Sequence, residues 1–199
     1  MQKGKEFRSL LTKDEYNRLI HQFQGNKTDL QTNHYFDTPR FSLKAQDISL
    51  RVKERDDRFE IALKHKKGYS VNEISIPITQ SELIELQTTG LLKLEELQAE
   101  LSHIIKDQKL INFLSLSTNR LFLNYYSGIL FIDESTYQFP TIMNDNKIVQ
   151  LMDHEMEYEA KDYELGKKEF IQLISDFDIQ YKKSDKKIKR AFNTYKRLH

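Results

Sequence analysis

The sequence contains no cysteine, and this absence excludes disulfide bonds, thiolate zinc sites and a cysteine nucleophile. No apolar run reaches the roughly 18 residues of a membrane-spanning helix. The first residues, Met1 to Glu6, lack the apolar core of a secretory signal, so we predict a cytoplasmic protein. No stretch rich in proline, serine and glycine divides the chain, so residues 1–199 are interpreted as one domain.

The chain also lacks an excess of charge of either sign. Its 31 basic and 30 acidic residues leave a formal net charge of +1. Such a balance gives no field over the whole protein that would attract nucleic acid or an anionic membrane. We therefore expect neither partner, and any site for a polyanion has to be local.

What the sequence does contain is charge at alternate positions. Period two is typical of a β-strand and places the alternating residues on one face. One such strand is acidic, with Asp153, Glu155, Glu157 and Glu159. Two earlier segments carry Arg51, Lys53 and Arg55, then Glu60, Lys64 and Lys66, with apolar residues in the other register. Strands with one charged and one apolar face indicate a sheet curled around a charged cavity.

Turn residues and hydrophobic periodicity predict an α+β chain of antiparallel strands interrupted by helices. The expected strands are 4–9, 32–38, 49–55, 59–66, 73–78, 114–125, 129–137 and the acidic strand. The expected helices are 12–21, 81–105 with a break at Gly90, 166–177 and a basic tail over 184–198. Thr12 followed by Glu15 has the pattern of a capping box. If helices cover the apolar faces from outside, the eight strands can close into a barrel with a charged lumen.

The predicted lumen carries both signs of charge. Its basic residues are Arg51, Lys53, Arg55, Lys64, Lys66 and Arg120, and its acids are Glu6, Glu60, Glu73, Asp133, Glu155, Glu157 and Glu159. Basic rows suit a polyphosphate, and acidic rows suit a hard cation. Basic and acidic rows on the same lumen wall indicate Mg²⁺ or Mn²⁺ bound together with phosphate oxygens.

Nine short motifs, in order from residue 4 to about 192, resemble those of the CYTH superfamily, the triphosphate tunnel metalloenzymes. They are Glu6-Phe7-Arg8, Tyr35 to Thr38, Leu50 to Glu54, Ala62-Leu63-Lys64, Glu73, Ser117 to Arg120, Asp133 with Tyr137, Glu155 to Glu159, and Lys187 to Arg190. The resemblance implies a closed eight-stranded antiparallel barrel that holds a triphosphate, with helices packed outside and a C-terminal helix near the tunnel mouth.

The resemblance also implies roles for individual residues. The substrate-binding residues it implies are Arg8, Arg51, Lys53, Lys64, Arg120, Lys187 and Arg190. The catalytic and metal-binding residues it implies are Glu6, Glu155 and Glu157. Possible supporting residues are Glu60, Glu73, Asp133 and Glu159.

One motif departs from the family pattern. The family opens on Glu-x-Glu-x-Lys, whereas this chain has Gly4-Lys5-Glu6-Phe7-Arg8, so the first carboxylate is absent and arginine replaces lysine. Two functions stay open. The first is a metal-dependent triphosphatase, with inorganic triphosphate as the favoured substrate and thiamine triphosphatase or adenylyl cyclase activity as alternatives. The second, motivated by Gly4, is a non-catalytic protein that binds polyphosphate or a nucleotide.

Overall fold

The computed structural model describes residues 5–68, 70–144 and 147–198, and over these residues the chain forms eight strands and five helices. The strands are β1 (Lys5–Leu11), β2 (Lys27–Asp37), β3 (Ile48–Arg55), β4 (Arg58–Lys67), β5 (Ser70–Ile78), β6 (Ile111–Tyr125), β7 (Gly128–Asn144) and β8 (Lys147–Ala160). The helices are α1 (Lys13–Gln22), α2 (Gln80–Thr89), α3 (Glu95–Ile105), α4 (Tyr163–Asp176) and α5 (Lys187–Leu198). None of these helices is long and apolar enough to cross a membrane.

The strands form one antiparallel sheet in the order β1-β8-β7-β6-β2-β3-β4-β5. The prediction of an α+β fold with eight antiparallel strands is confirmed, and closure of the sheet into a tunnel stays a prediction. Three helix starts differ from expectation by three residues or more. Helix α4 begins at Tyr163, three residues before the expected position 166, because the side chain of Asp162 accepts from the backbone N–H of Leu165 and caps the helix there. Helix α5 begins at Lys187, three residues late, because Ser184 bonds to Glu155 and to its own neighbour's carbonyl. Helix α3 begins only at Glu95.

Two local signals in the sequence are realised at helix ends. Thr12 accepts from the backbone of Glu15, whose carboxylate accepts in return from Thr12, which completes the predicted capping box. Gly90 ends α2 in the left-handed conformation, at φ 69°. A Cβ at this position would lie 2.4 Å from the carbonyl oxygen of Leu110, so only glycine allows this approach.

The chain divides into two compact units. The first unit contains the residues up to Leu30, Thr118–Thr136 and Leu151–Arg197, and the second contains Gln31–Ser117 and Tyr137–Gln150. Each unit has its own hydrophobic core. The first core is built on residues such as Leu19, Leu130, Ile132, Met156, Tyr158 and Leu173, and the second on residues such as Phe36, Leu50, Val52, Ile61, Leu97 and Leu101.

Candidate active site

Glu157 and Asp133 each bind two basic side chains in the first unit. Glu157 on β8 accepts from Arg8 on β1 at 3.1 Å and from Arg120 on β6 at 3.2 Å. Asp133 on β7 is fully buried and accepts twice from Arg120, at 2.8 and 2.7 Å. Lys187 on α5 donates to the same carboxylate at 2.6 Å. Arg120 therefore connects the two acids, and the bidentate geometry fixes its plane.

Glu155 is held by the segment that leads into α5. Its side chain is 1% exposed, and its oxygens accept from Ser184 at 2.6 Å and contact Lys187 at 3.0 Å. Arg190 lies 3.3 Å from Glu155 and also donates to Asp153 at 2.9 Å. Sequence reasoning missed Ser184 as a partner of Glu155, because the predicted basic helix begins at Ser184.

Two of these acids have shifted pKa values. Burial acts to raise the pKa of Asp133, but the Arg120 hydrogen bonds and the Lys187 charge outweigh burial, and the pKa is lowered. Burial also opposes ionisation of Glu155, whose pKa is nevertheless lowered by the charge of Lys187 and the hydrogen bond from Ser184. Both carboxylates are therefore anionic at neutral pH.

The face shared by β1 and β8 has a local excess of acid. Glu6 lies directly opposite Glu159, and Arg8 lies opposite Glu157. Arg8 also contacts Glu6, whereas Glu159 has no ion pair among the residues that the structure describes. Like charges opposite each other destabilise a strand pair. A cation at this place would offset that repulsion.

These carboxylates fit a hard cation by their chemistry, because oxygen ligands are what Mg²⁺ and Mn²⁺ prefer. Within residues 5–68, 70–144 and 147–198, however, no group of three or more Asp, Glu or His side chains is already arranged to bind a metal. Glu6, Glu155 and Glu157 are instead paired with basic side chains. A metal at this place would have to replace some of these ion pairs.

The second unit carries the predicted basic strands, and their charged positions share one face of the sheet. Lys53 on β3 lies opposite Glu60 on β4, and Lys64 lies opposite Glu73 on β5, with 3.2 Å between the charged groups. Arg51 lies on the same face as Lys53, two residues earlier. The alternate residues of these strands pack in the second core. The predicted division into a charged and an apolar face is confirmed here.

Arg51 differs from its neighbours because one of its donors has no partner. Its Nε atom is buried and makes no hydrogen bond among the described residues, and the same holds for the Oδ1 atom of Asn33 on β2. Leaving such a group unsatisfied costs about 1–3 kcal/mol. Arg51 is therefore ready to donate to an acceptor that the described residues do not supply.

Every predicted site residue lies in a described segment. The first unit holds Glu6, Arg8, Arg120, Asp133, Glu155, Glu157, Glu159, Lys187 and Arg190, and the second holds Arg51, Lys53, Glu60, Lys64 and Glu73. The structure brings the members of the first set together in one ion-pair network, except Glu159, and the members of the second set onto one sheet face. Gly4 lies outside the described residues. The catalytic, metal-binding and substrate-binding roles stay predictions.

Comparison with known proteins finds relatives that are described as CYTH-domain proteins, triphosphatases or adenylate cyclases. The CYTH domain profile matches residues 2–192. YjbK of Bacillus subtilis, named as a candidate triphosphatase, is 28% identical over 192 residues, or 94% of this chain and 93% of YjbK. The structure of a candidate adenylate cyclase from Bacillus halodurans has a TM-score of 0.65 at 26% identity and covers 95% of this chain and 97% of its own. HpAC1 from Hippeastrum, reported with a dominant triphosphatase activity, shares the fold at 17% identity and TM-score 0.61, with 96% and 94% of the chains covered.

Proposed function

Because the chain belongs to the CYTH domain family, we propose that it is a divalent-metal-dependent triphosphatase, with inorganic triphosphate as its favoured substrate. The similarity to YjbK, a candidate triphosphatase, supports the reaction class. We propose Mg²⁺ or Mn²⁺ as the metal because β1 and β8 carry carboxylates, which these ions prefer as ligands. We propose that the protein is cytoplasmic because of the sequence features described above.

The observation that carries the proposal is the buried Nε of Arg51, which lacks a partner among the described residues. It lies on a sheet face that also presents Lys53 and Lys64. Arginine and lysine neutralise phosphate oxygens by charge-assisted hydrogen bonds. A triphosphate supplies several anionic acceptors in a row, so it satisfies this donor and uses the neighbouring cations. We therefore propose Arg51, Lys53 and Lys64 as phosphate ligands.

In the first unit we propose that Arg8 and Arg120 also bind phosphate, and that Glu157 acts in the chemistry. Arg8 and Arg120 both donate to Glu157. If phosphate oxygens accepted these hydrogen bonds instead, the Glu157 carboxylate would be free to act in the reaction. Its oxygens would then orient the attacking water and accept its proton, while the arginines offset charge on the leaving phosphate. A metal bound by Glu6, Glu157 and Glu159 would supply charge neutralisation and a more acidic water.

Glu155 has a different role in this proposal. Its oxygens are occupied by Ser184, Lys187 and Arg190, so we propose that it positions the start of α5 and supports the metal site indirectly. Lys187 and Arg190 are kept as candidate phosphate ligands on α5, with Asp133 as the group that positions Lys187. Glu60 and Glu73 orient the cations of the second unit.

Phosphate release from tripolyphosphate, ATP and thiamine triphosphate, each with Mg²⁺ or Mn²⁺, tests this function. Arg51→Ala should weaken tripolyphosphate binding at least 10-fold while the urea midpoint of the ligand-free protein changes little. Arg40→Ala is the matched control, because Arg40 is exposed and lies outside the strands in the same unit. If Arg51→Ala and Arg40→Ala bind tripolyphosphate equally well, the phosphate-binding face has been wrongly assigned.

A second candidate function is binding of polyphosphate or a nucleotide without turnover. The observation that favours it is the pairing of Glu6, Glu155 and Glu157 with basic side chains, which leaves no arranged metal cluster among the described residues. Tight binding of tripolyphosphate with no phosphate release under either metal would support this candidate and reject the hydrolase.

A further inference from the structure

A pocket of about 610 Å³ opens in the first unit between β1, α4 and residues 181–184. Four aromatic rings follow one another along it. Tyr163 lies 5.5 Å from Phe7, Phe7 lies 5.7 Å from Phe170, and Phe170 lies 6.4 Å from Tyr181, measured between ring centroids. Tyr163 and Tyr181 at the two ends are about half exposed. Tyr163 and Tyr181 thus offer ring surface that the first core does not use, whereas Phe170 is part of that core and Phe7 packs against it.

The pocket is also positively charged. Lys167 and Lys183 line it, and neither has an ion pair among the residues that the structure describes. Arg8 lines the pocket as well, and Glu6 is the one acid among the described lining residues. Since Glu6 already contacts Arg8, the two lysines are the uncompensated charges.

We propose that this pocket is a second binding site, for a small flat aromatic anion. Its volume lies in the range of about 300–1,000 Å³ that small-molecule sites occupy. Aromatic walls favour a planar ring through offset or edge-on contacts, and an anionic substituent on that ring pairs with Lys167 or Lys183. The pocket shares Arg8 with the proposed phosphate ligands and Glu6 with the proposed metal ligands, and its other lining residues are separate from both sets.

Occupancy of the pocket is coupled to the ion-pair network. Arg8 and Ser184 line the pocket, and they also bind Glu157 and Glu155, respectively. An anion close to Arg8 competes with Glu157 for the same guanidinium. If the chain hydrolyses a triphosphate as proposed, the pocket ligand therefore modulates that turnover; this role as an effector site rests on the proposed function, whereas the binding site itself does not.

The fluorescent aromatic sulfonate 8-anilinonaphthalene-1-sulfonate tests the proposal, with its uncharged analogue N-phenyl-1-naphthylamine as the comparison. We expect one bound sulfonate per chain. Ile171→Glu, which places an anion in the exposed wall of the pocket, should weaken sulfonate binding at least 10-fold. Leu165→Glu is the matched control, because Leu165 is exposed on the same helix outside the pocket. Equal effects of the two variants would overturn the proposal.

The charge requirement is tested separately. Lys167→Ala should weaken sulfonate binding about threefold or more and leave binding of the uncharged analogue unchanged, whereas Lys168→Ala, an exposed neighbour outside the pocket, should change neither. Displacement of the sulfonate by AMP would identify an aromatic phosphate as the ligand class, and displacement by salicylate an aromatic carboxylate. Failure of both to displace it, or complete displacement by tripolyphosphate, would refute a separate site. These results do not depend on turnover, so they stand apart from the proposed function.

Discussion

Replacement of Asp133 by asparagine should destabilise the first unit more than any other single-charge change in the network. The amide keeps the volume of the side chain but removes the charge that faces Arg120 and Lys187. Breaking one side of a buried ion pair costs about 3–5 kcal/mol. Since Arg120 and Lys187 are partly exposed and the amide still accepts one hydrogen bond, we expect about 3 kcal/mol, at the lower end of that range.

Urea unfolding at pH 7 with a chelator measures this loss. In a chain of this size, about 3 kcal/mol corresponds to a fall in melting temperature of roughly 6–12 °C. Glu134→Gln is the control, because it removes the same charge from the next residue of β7. Glu134 is more exposed, and its ion-pair partner among the described residues is His154, at 3.2 Å, so we expect a cost of about 1 kcal/mol or less. Equal costs for the two variants would refute the reasoning.

The pH dependence gives a second test of the same reasoning. The pKa of Asp133 is lowered in the folded state, so its contribution is present above the unfolded pKa, about 3.9, and is lost as pH falls through the folded value. The difference in free energy of unfolding between the parent and Asp133→Asn should therefore be constant from pH 7 to about 5 and narrow at lower pH. A difference that persists undiminished in acid would mean that lost packing, and not lost charge, destabilises the variant.

Three further outcomes are expected. Tripolyphosphate at about 100 times its dissociation constant should add roughly 2.7 kcal/mol to the stability, read as a rise in melting temperature, and an unchanged melting temperature would contradict binding. Glu157→Gln should reduce metal-dependent phosphate release at least 100-fold with a small stability change. Glu155→Gln should lower the urea midpoint more than Glu157→Gln does, because Glu155 is 1% exposed and bound on several sides. If Glu155→Gln had the larger effect on phosphate release and Glu157→Gln the larger effect on the urea midpoint, the two proposed roles would be exchanged. Gly166→Ala should cost about 1–3 kcal/mol, because a Cβ there would lie 2.4 Å from the Cβ of Ala160, and a parent-like urea midpoint would show that α4 can shift.

The acidic face of β8 could be predicted because it depends on period two alone. Alternation places Glu155 and Glu157 on one face wherever the strand lies in the sheet, and the same reasoning placed Arg51, Lys53 and Lys64. The partners of these residues could not be predicted. They depend on register, such as Arg8 opposite Glu157, and register is set by packing and by turns distant in sequence.

The position at which α5 packs could also not be predicted from the sequence. The chain before α5 pairs with β1, where Leu10 donates to the carbonyl of Lys182 at 2.9 Å, and this contact brings Lys187 to Asp133. No local pattern marks such a long-range pairing. The burial of Asp133 has a weak signal, since it follows Leu130, Phe131 and Ile132 in an apolar run. No sequence signal predicted the aromatic pocket, because Tyr163 and Tyr181 come from separate segments of the chain.

If metal and triphosphate bind at the proposed residues, we expect the ion-pair network to make their binding cooperative. Arg8 and Arg120 both donate to Glu157, so a metal alone would have to break these pairs and leave the arginines uncompensated. A triphosphate that took over the arginines would release the carboxylate and add oxygens of its own, so that a metal would then bind at lower cost. Linkage requires the reverse effect to be equally large. We therefore expect Mg²⁺ to tighten tripolyphosphate binding by the same factor by which tripolyphosphate tightens Mg²⁺ binding. Glu157→Gln should reduce this factor, because the amide weakens both the metal site and the competition for the arginines.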